Sequence, residues 1–382
     1  SFTGKQAKLP LSADLTLKIK TLCKQLGVTP FNFFLTAYNI LLFRYTGQQD
    51  ILIGTPVSNR NIKGLENVIG FFVDTVVLRN QFEGEISFNH LIQKVKPDRI
   101  ILIDYPGFNL RIAKWAKAAG YDTHFYISPQ IWAWKENRIK AIKRDIDHMY
   151  VILPFEKDFY ENKHHYPVNF VGHPLIDAIS NRKNTDIAKF KAENNLDERP
   201  IIALLPGSRK QEISKMLEVM LSITQDYKDY QFVIAGAPSQ EKEFYAPYLK
   251  KNNINLVMNK TYDILSCAHA ALVTSGTATL ETALFKVPEV VCYKGSYISY
   301  HIAKRIINLD YISLVNLIMD REVVKELIQG EFNSDSLKIE LNKILEPKNR
   351  ERIFKDYYEL EQKLGGTGAS LETAKLIYNS IK

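Results

Sequence analysis

The chain has 382 residues, 46% of them hydrophobic and 24% charged, and carries a net charge of +8 at pH 7. That length allows two or three domains, each with its own core, and the composition is ordinary for a soluble globular protein. No run of about 18 uninterrupted apolar residues occurs, so no spanning helix is expected.

Residues 1–96 hold 11 Lys/Arg against 6 Asp/Glu, so that quarter carries most of the basic excess. The excess favours anionic partners such as phosphates or lipid head groups. Without an RNA-binding signature or a long basic stripe, no nucleic-acid partner is expected. Cys23, Cys267 and Cys292 are too few and too scattered for a disulfide framework or a zinc knuckle, and are read as small buried side chains in a reducing cytosol. The first residues lack an apolar signal core, which points to a cytoplasmic location.

In chain order, "TPFNFFLTAYNILLFRYTG" predicts an aromatic-rich helix ending at Gly47. "DILIGTPVSNR" and "GFFVDTVVLRN" read as strands. Composition changes near Lys96, and from Pro97 short β-rich runs alternate with helix-period segments. "RIILID" is expected as a buried strand, followed by a helix closed by Gly120 and by strands at "DTHFYIS", "HMYVILPF" and "VNFVGHP". After a polar connection over 180–200, a second series begins at "IIALLPGS" and continues through "QFVIAGAP", "INLVMN", "AALVTSG" and "PEVVCYKG". Two such βα series predict two doubly wound parallel sheets, with ligands at the carboxyl ends of the strands.

The strongest chemical signal is "AALVTSGTATLETALF" (270–285). A strand ends at Thr274, Ser275-Gly276-Thr277 turns the chain, and free N–H groups at the next helix start make a phosphate site. Glu281 lies one turn on, on the same helix face, where a carboxylate reaches a sugar hydroxyl. A capped helix with an exposed Glu is the plainer alternative. "IIALLPGSRKQEI" (201–213) repeats the strand–turn–helix form, with Gly207 and Ser208 offering N–H groups and Arg209 a bidentate fork for a diphosphate. No GxxxxGK[ST] loop occurs, which argues against ATP hydrolysis of that type.

"YISPQIWAWKENRIKAIKR" (126–144) sets Ile131, Trp132 and Trp134 beside Lys135 and Arg138, which suits a phosphate-bearing lipid or a membrane interface. Equally, the tryptophans belong to the core and the basic residues to a solvated face. Asp104, at a strand end, is either a general base or a turn cap. "HHYPVN" and "GEIS" only approximate known catalytic and phosphate-loop motifs and are set aside.

From about Pro97 onward the chain resembles the lipid-A-disaccharide synthases, glycosyltransferases of GT-B architecture. The resemblance rests on "IDYPGFNLRIAKWAK", "YISPQIWAWKENR", "ILPFEKDFY", "FVGHPLID", "LLPGSRKQEI", "SGTATLETALF" and "YISLVNLI" in family order. It implies transfer of diacylglucosamine from UDP-2,3-diacylglucosamine to 2,3-diacylglucosamine 1-phosphate, with no metal and no cofactor. It further implies that Gly207, Ser208 and Arg209 hold the donor diphosphate, and that Ser275, Gly276, Thr277 and Glu281 bind UDP with Asn316 and Glu322 nearby. Many relatives carry Asp where this chain has Gly107, which leaves Asp104 and Asp98 as local candidates for the base. An anionic membrane surface, peripheral to the inner membrane, and a second copy of the chain are the other expected partners.

Residues 1 to about 95 resemble instead the C-terminal part of a condensation domain of non-ribosomal peptide synthetases, through "LLFRYTGQQDILIGTPVSNRN" and "VIGFFVDTVVLRNQFEGEISFNHLIQKV". The histidine motif of that family is absent, so no condensation activity is expected. The expected architecture is α/β: a GT-B-like pair of Rossmann-like domains, the first incomplete, preceded by an α+β condensation-domain fragment. Its parts are 1–95, 97–180 (acceptor side), 200–345 (UDP-sugar side) and terminal helices over 346–382. The first sheet, missing its opening strands, is expected to expose an edge. UDP binding is expected ahead of turnover. The competing reading is a non-catalytic fusion whose condensation piece serves as scaffold or docking module.

Overall fold

The computed structural model describes residues 11–58, 73–81, 99–252, 254–295 and 310–380. They fall into two compact units, one within Ser1–Tyr126 and Ala141–His148, the other within Ile127–Lys140 and Met149–Lys382.

In the first unit, α1 (Ala13–Leu26) starts at Ser12, whose Oγ accepts the Leu15 N–H at 3.2 Å, and stops at Gly27. Helix α2 (Pro30–Thr46) has Pro at its first position, Thr29 as its cap and the left-handed Gly47 as its stop, as the sequence predicts. Strands β1 (Asp50–Ser58) and β2 (Val73–Gln81) pair antiparallel, with Asp50 opposite Gln81 and ion-paired to Arg79. The pair builds only a small apolar cluster: Leu35 and Ile51 with Ile40, Leu42, Phe43, Ile53 and Leu78.

Further on, β3 (Arg99–Ile103), α3 (Pro106–Ala118) and β4 (Asp122–Tyr126) form a parallel βαβ unit with Arg99 opposite Asp122. Strand β3 departs from the expectation of a buried strand. Only Leu102 is buried, while Ile101 and Ile103 are 39% and 48% exposed.

In the second unit, β5 (His148–Val151) pairs in parallel with the short β6 (Asn169–Phe170). A six-stranded parallel sheet follows: β7 (Ile201–Leu205), β8 (Gln231–Gly236), β9 (Asn255–Met258), β10 (Ala268–Thr274), β11 (Glu289–Tyr293) and β12 (Lys325–Ile328). Their order in space is β12-β11-β10-β7-β8-β9. Central strands are apolar on both faces, and Ile202, Ala203, Leu204, Ala271, Leu272 and Val273 have no exposed surface. Helices α4 (Lys210–Ser222) and α5 (Thr277–Leu284) follow β7 and β10. Helix α6 (Leu314–Met319) precedes β12, and α7 (Ser334–Leu345), α8 (Pro347–Lys363) and α9 (Ala369–Asn379) close the chain.

Among the described residues no single helix is long and apolar enough to cross a membrane; α1 and α2 reach that length only together, across a bend of 102°.

Candidate functional site

The strand order places a topological switch point between β7 and β10. The chain runs outward from β7 through β8 and β9, then returns to β7's other side with β10. Diverging helices leave a crevice at the carboxyl ends of two such strands, where doubly wound sheets take their ligands. Both sequence-predicted turns fall there: Gly207-Ser208-Arg209 after β7, and Ser275-Gly276-Thr277 after β10.

Each turn needs its glycine. Gly207 has φ +102°, a backbone conformation that side-chain-bearing residues rarely adopt, and a Cβ there would crowd the Glu212 carboxylate. Gly276 has φ +154°, which lets the chain pass from β10 into α5. Arg209 is exposed at the head of α4 and makes no ion pair among the described residues, so its fork is available to an anion. Ser208 is less open than the sequence reading has it. Its N–H donates to Oε2 of Glu212 at 3.1 Å, a carboxylate reaching back onto the orphan donors of its own helix start. The Ser208 carbonyl accepts from Ser239 Oγ and Gln240 Nε2, which fixes the loop from below.

On the β10 side, the Ser275 N–H donates to the Cys292 carbonyl, and its Oγ donates to the Ile312 carbonyl at 3.0 Å. Glu281, on α5, is half-buried, and its Oε1 accepts the Tyr262 hydroxyl at 2.7 Å. Burial pushes the Glu281 carboxyl up against the pull of that hydrogen bond. Its Oε2 has no partner among the described residues. Among the described residues, three buried side-chain atoms near this edge have no hydrogen-bond partner: Thr274 Oγ1, Gln240 Oε1 and Gln329 Nε2. Unpartnered buried polar atoms are uncommon in folded proteins, and here they follow the carboxyl ends of β10, β8 and β12.

Asn316 and Glu322 are not brought to the crevice as ligands. Asn316 is fully buried, its Oδ1 accepting the N–H groups of Val323 and Val324 and its Nδ2 donating to the Val324 carbonyl and Glu326. Glu322 lies just ahead of β12, at the amino edge of the parallel sheet, ion-paired with Lys325 at 3.2 Å. The residue sequence reasoning missed is Glu326, a buried carboxylate on β12. The strand's own sequence, Lys-Glu-Leu-Ile, hides it by resembling an exposed turn of helix.

The 126–144 segment divides. Ile131 is 2% exposed, and Trp132 is half-buried with Nε1 donating to Oε1 of Glu156 at 3.0 Å, so these two belong to the interior. Glu156 also accepts from Ser128 Oγ and the N–H groups of Ile152 and Leu153, and burial pushes its carboxyl up. Trp134 is 45% exposed, with Lys135 Nζ 4.3 Å and Arg138 5.6 Å from its ring.

Asp104 is exposed in a left-handed conformation (φ 50°), its N–H donated to the Tyr126 carbonyl and its own carbonyl accepting from Asn109 Nδ2. Asp98 lies outside the described residues. Gly107 is the second residue of α3, and a Cβ there would meet nothing within 4 Å.

Among the described residues, one group that could ligate a metal stands elsewhere, on β4 and at the start of β5: Asp122, His124 and His148. Arg99 already lies 3.0 Å from the Asp122 carboxylate, and the two imidazoles stack at 4.5 Å rather than converge. The group reads as an ion-paired cluster.

The family model of lipid-A-disaccharide synthetase matches residues 57–378, and that of the condensation domain matches residues 1–109, so the two overlap. Curated lipid-A-disaccharide synthases are similar: that of Syntrophus aciditrophicus is 38% identical over 79% of this chain and 82% of its own length. That of Coxiella burnetii (strain CbuG_Q212) is 39% identical over 77% of this chain and 79% of its own. Among solved structures, UDP-GlcNAc 2-epimerase from Neisseria meningitidis bound to UDP-GlcNAc matches at 15% identity and a TM-score of 0.51, over 75% of this chain and 78% of that one. The S. aureus MnaA–UDP co-structure matches at 13% identity and a TM-score of 0.51, over 75% and 76%. These two likenesses bear on fold alone, an α/β pair of Rossmann-like domains.

Proposed function

The chain belongs to the lipid-A-disaccharide synthase family, and from that premise we propose how its residues carry out a hexosyl transfer in lipid A biosynthesis. The donor is UDP-2,3-diacylglucosamine and the acceptor 2,3-diacylglucosamine 1-phosphate. One observation carries the reading: two βα turns and Arg209, which has no ion pair among the described residues, meet at the switch point of the six-stranded sheet.

Arg209 and the N–H groups heading α4 and α5 hold the donor diphosphate. As the glycosidic bond to UDP breaks, negative charge grows on the departing phosphate, and the same donors stabilise it without reorganising. Diphosphate entry displaces the Glu212 carboxylate from the Ser208 N–H. Glu281, fixed through Oε1 by Tyr262, offers Oε2 to a ribose hydroxyl. Asn316 positions its neighbours, and we give Glu322 no part in binding.

The acceptor hydroxyl must lose its proton to a carboxylate. Asp104 is our candidate base, with Asp98 the second. Trp134, Lys135 and Arg138 are proposed to meet the anionic lipid surface, the protein lying peripherally on the cytoplasmic side of the inner membrane and working as a homodimer. Residues 97–180 and 200–345 are proposed as acceptor-side and donor-side domains, with 1–95 a condensation-type appendage.

Turnover of the two lipid substrates tests the reading. Release of UDP that falls by about tenfold or more in Arg209→Ala, as loss of a charge-assisted contact demands, supports it. Wild-type protein that neither turns over nor binds UDP at millimolar concentration sinks it.

A further inference from the structure

We propose that Glu326 is a positioning residue for the donor turn and acts through the peptide of Ile312. The inference rests on the reading of the Ser275–Thr277 turn as a UDP site. Oε2 of Glu326 accepts the Ile312 N–H at 2.9 Å, and Oε1 accepts the Ser313 N–H at 3.0 Å and Asn316 Nδ2 at 2.9 Å. The carbonyl of Ile312 in turn accepts Ser275 Oγ at 3.0 Å. Residue 312 thus bridges a buried carboxylate on β12 and the hydroxyl of the turn after β10.

The geometry asks for a carboxylate and nothing else. All three groups facing Glu326 are N–H donors, and an ionised carboxylate is acceptor-only. A glutamine of the same shape turns its own NH2 toward one of them, leaving two donors face to face. Asn316 completes the frame. Its backbone N–H donates to Ser313 Oγ at 3.2 Å, and its Oδ1 takes the N–H groups of Val323 and Val324 at 2.8 and 3.0 Å. Ser313 and Asn316 have no exposed surface, and Glu326 is 8% exposed, so the network is shielded from competing water. Ser275 keeps its lone pairs for a ligand, because its hydroxyl proton is aimed at Ile312.

Calorimetric titration with UDP tests the assignment on the full chain. Glu326→Gln is expected to weaken UDP binding by about tenfold, the equivalent of one buried donor left unpaired. Glu326→Asp, which keeps the charge but shortens the reach, falls between it and wild type. Ser275→Ala removes the far end of the same link, so the double variant with Glu326→Gln should bind UDP no more weakly than the worse single variant. Losses that multiply in the double variant, or a folded Glu326→Gln or Glu326→Asp protein that binds UDP like wild type, overturn the proposal. If Glu326→Gln does not fold, the Glu326→Asp arm decides. Failure of wild type itself to bind UDP overturns the donor-site reading, a separate result from wild-type binding that is insensitive to residue 326.

Discussion

Residues 11–58 and 73–81 and the six-stranded sheet of β7–β12 both form the elements their sequences call for, yet they differ in what lies behind those elements. Helices α1 and α2 have caps and stops, and β1–β2 keep register over nine residue pairs. Even so, α2 leaves Phe31, Phe34, Tyr38, Leu41 and Tyr45 exposed, and among the described residues the cluster beneath it holds two buried residues. The sheet of β7–β12 buries its central strands on both faces, with Phe190, Leu196 and Val287 among those packed against it. Secondary structure is a local property, whereas a core needs every layer of the fold it came from.

That contrast is open to direct attack. The largest effect belongs to Leu272→Ala in the centre of β10, where no surface is exposed. It should destabilise the second unit by about 3 kcal/mol or more, whereas Leu41→Ala, at a side chain 49% exposed, should cost under about 0.5 kcal/mol. Denaturant melts followed by unit-specific probes check both, and equal costs would erase the distinction.

A comparable effect depends on pH. His173 is buried at the cap of the helix Pro174–Ser180, its Nδ1 accepting the Leu175 N–H at 3.2 Å. Burial lowers its pKa from 6.5 to about 4. The folded state therefore keeps this imidazole neutral while the unfolded chain protonates it. Stability is lost as pH falls from 6.5 to about 4, by up to about 3 kcal/mol, and is unaffected by this group above that window. His173→Asn keeps a capping acceptor and should flatten the difference; an unchanged pH slope contradicts it.

Smallest is the gain expected at the acceptor side. Gly107 has open space around its Cβ position and lies in the first turn of α3, where a carboxylate suits the helix dipole. Gly107→Asp places a carboxylate there, and should raise turnover by about tenfold with the fold unchanged. No gain would leave Asp104 or Asp98 as the base.

The features legible in the sequence were those written in short local runs. The five apolar strands from "IIALLPGS" to "PEVVCYKG", the two glycine turns and Arg209 all stand where expected, because each is a strand, a tight turn and a helix start in sequence order. Less legible was whatever depends on a distant partner. Trp132 faces inward because Glu156 lies 24 residues along the chain, and no local pattern announces that pairing. Glu326 looks like a surface charge until Ile312, Ser313 and Asn316 are folded around it. Strand β3 reads as buried from its apolar run, but two of its isoleucines, Ile101 and Ile103, are exposed.

Amide hydrogen exchange with and without UDP tests most directly the proposal that UDP binds at the turns after β7 and β10 and that α1 and α2 take no part in it. The account predicts UDP-dependent slowing at the turns around Arg209 and Gly276 and at Ile312–Ser313, and none in Ala13–Thr46. Without UDP, the amides of β7 and β10 should be the slowest to exchange and those of α1 and α2 among the fastest. No slowing at those turns with millimolar UDP, or slowing centred on α2, would contradict it.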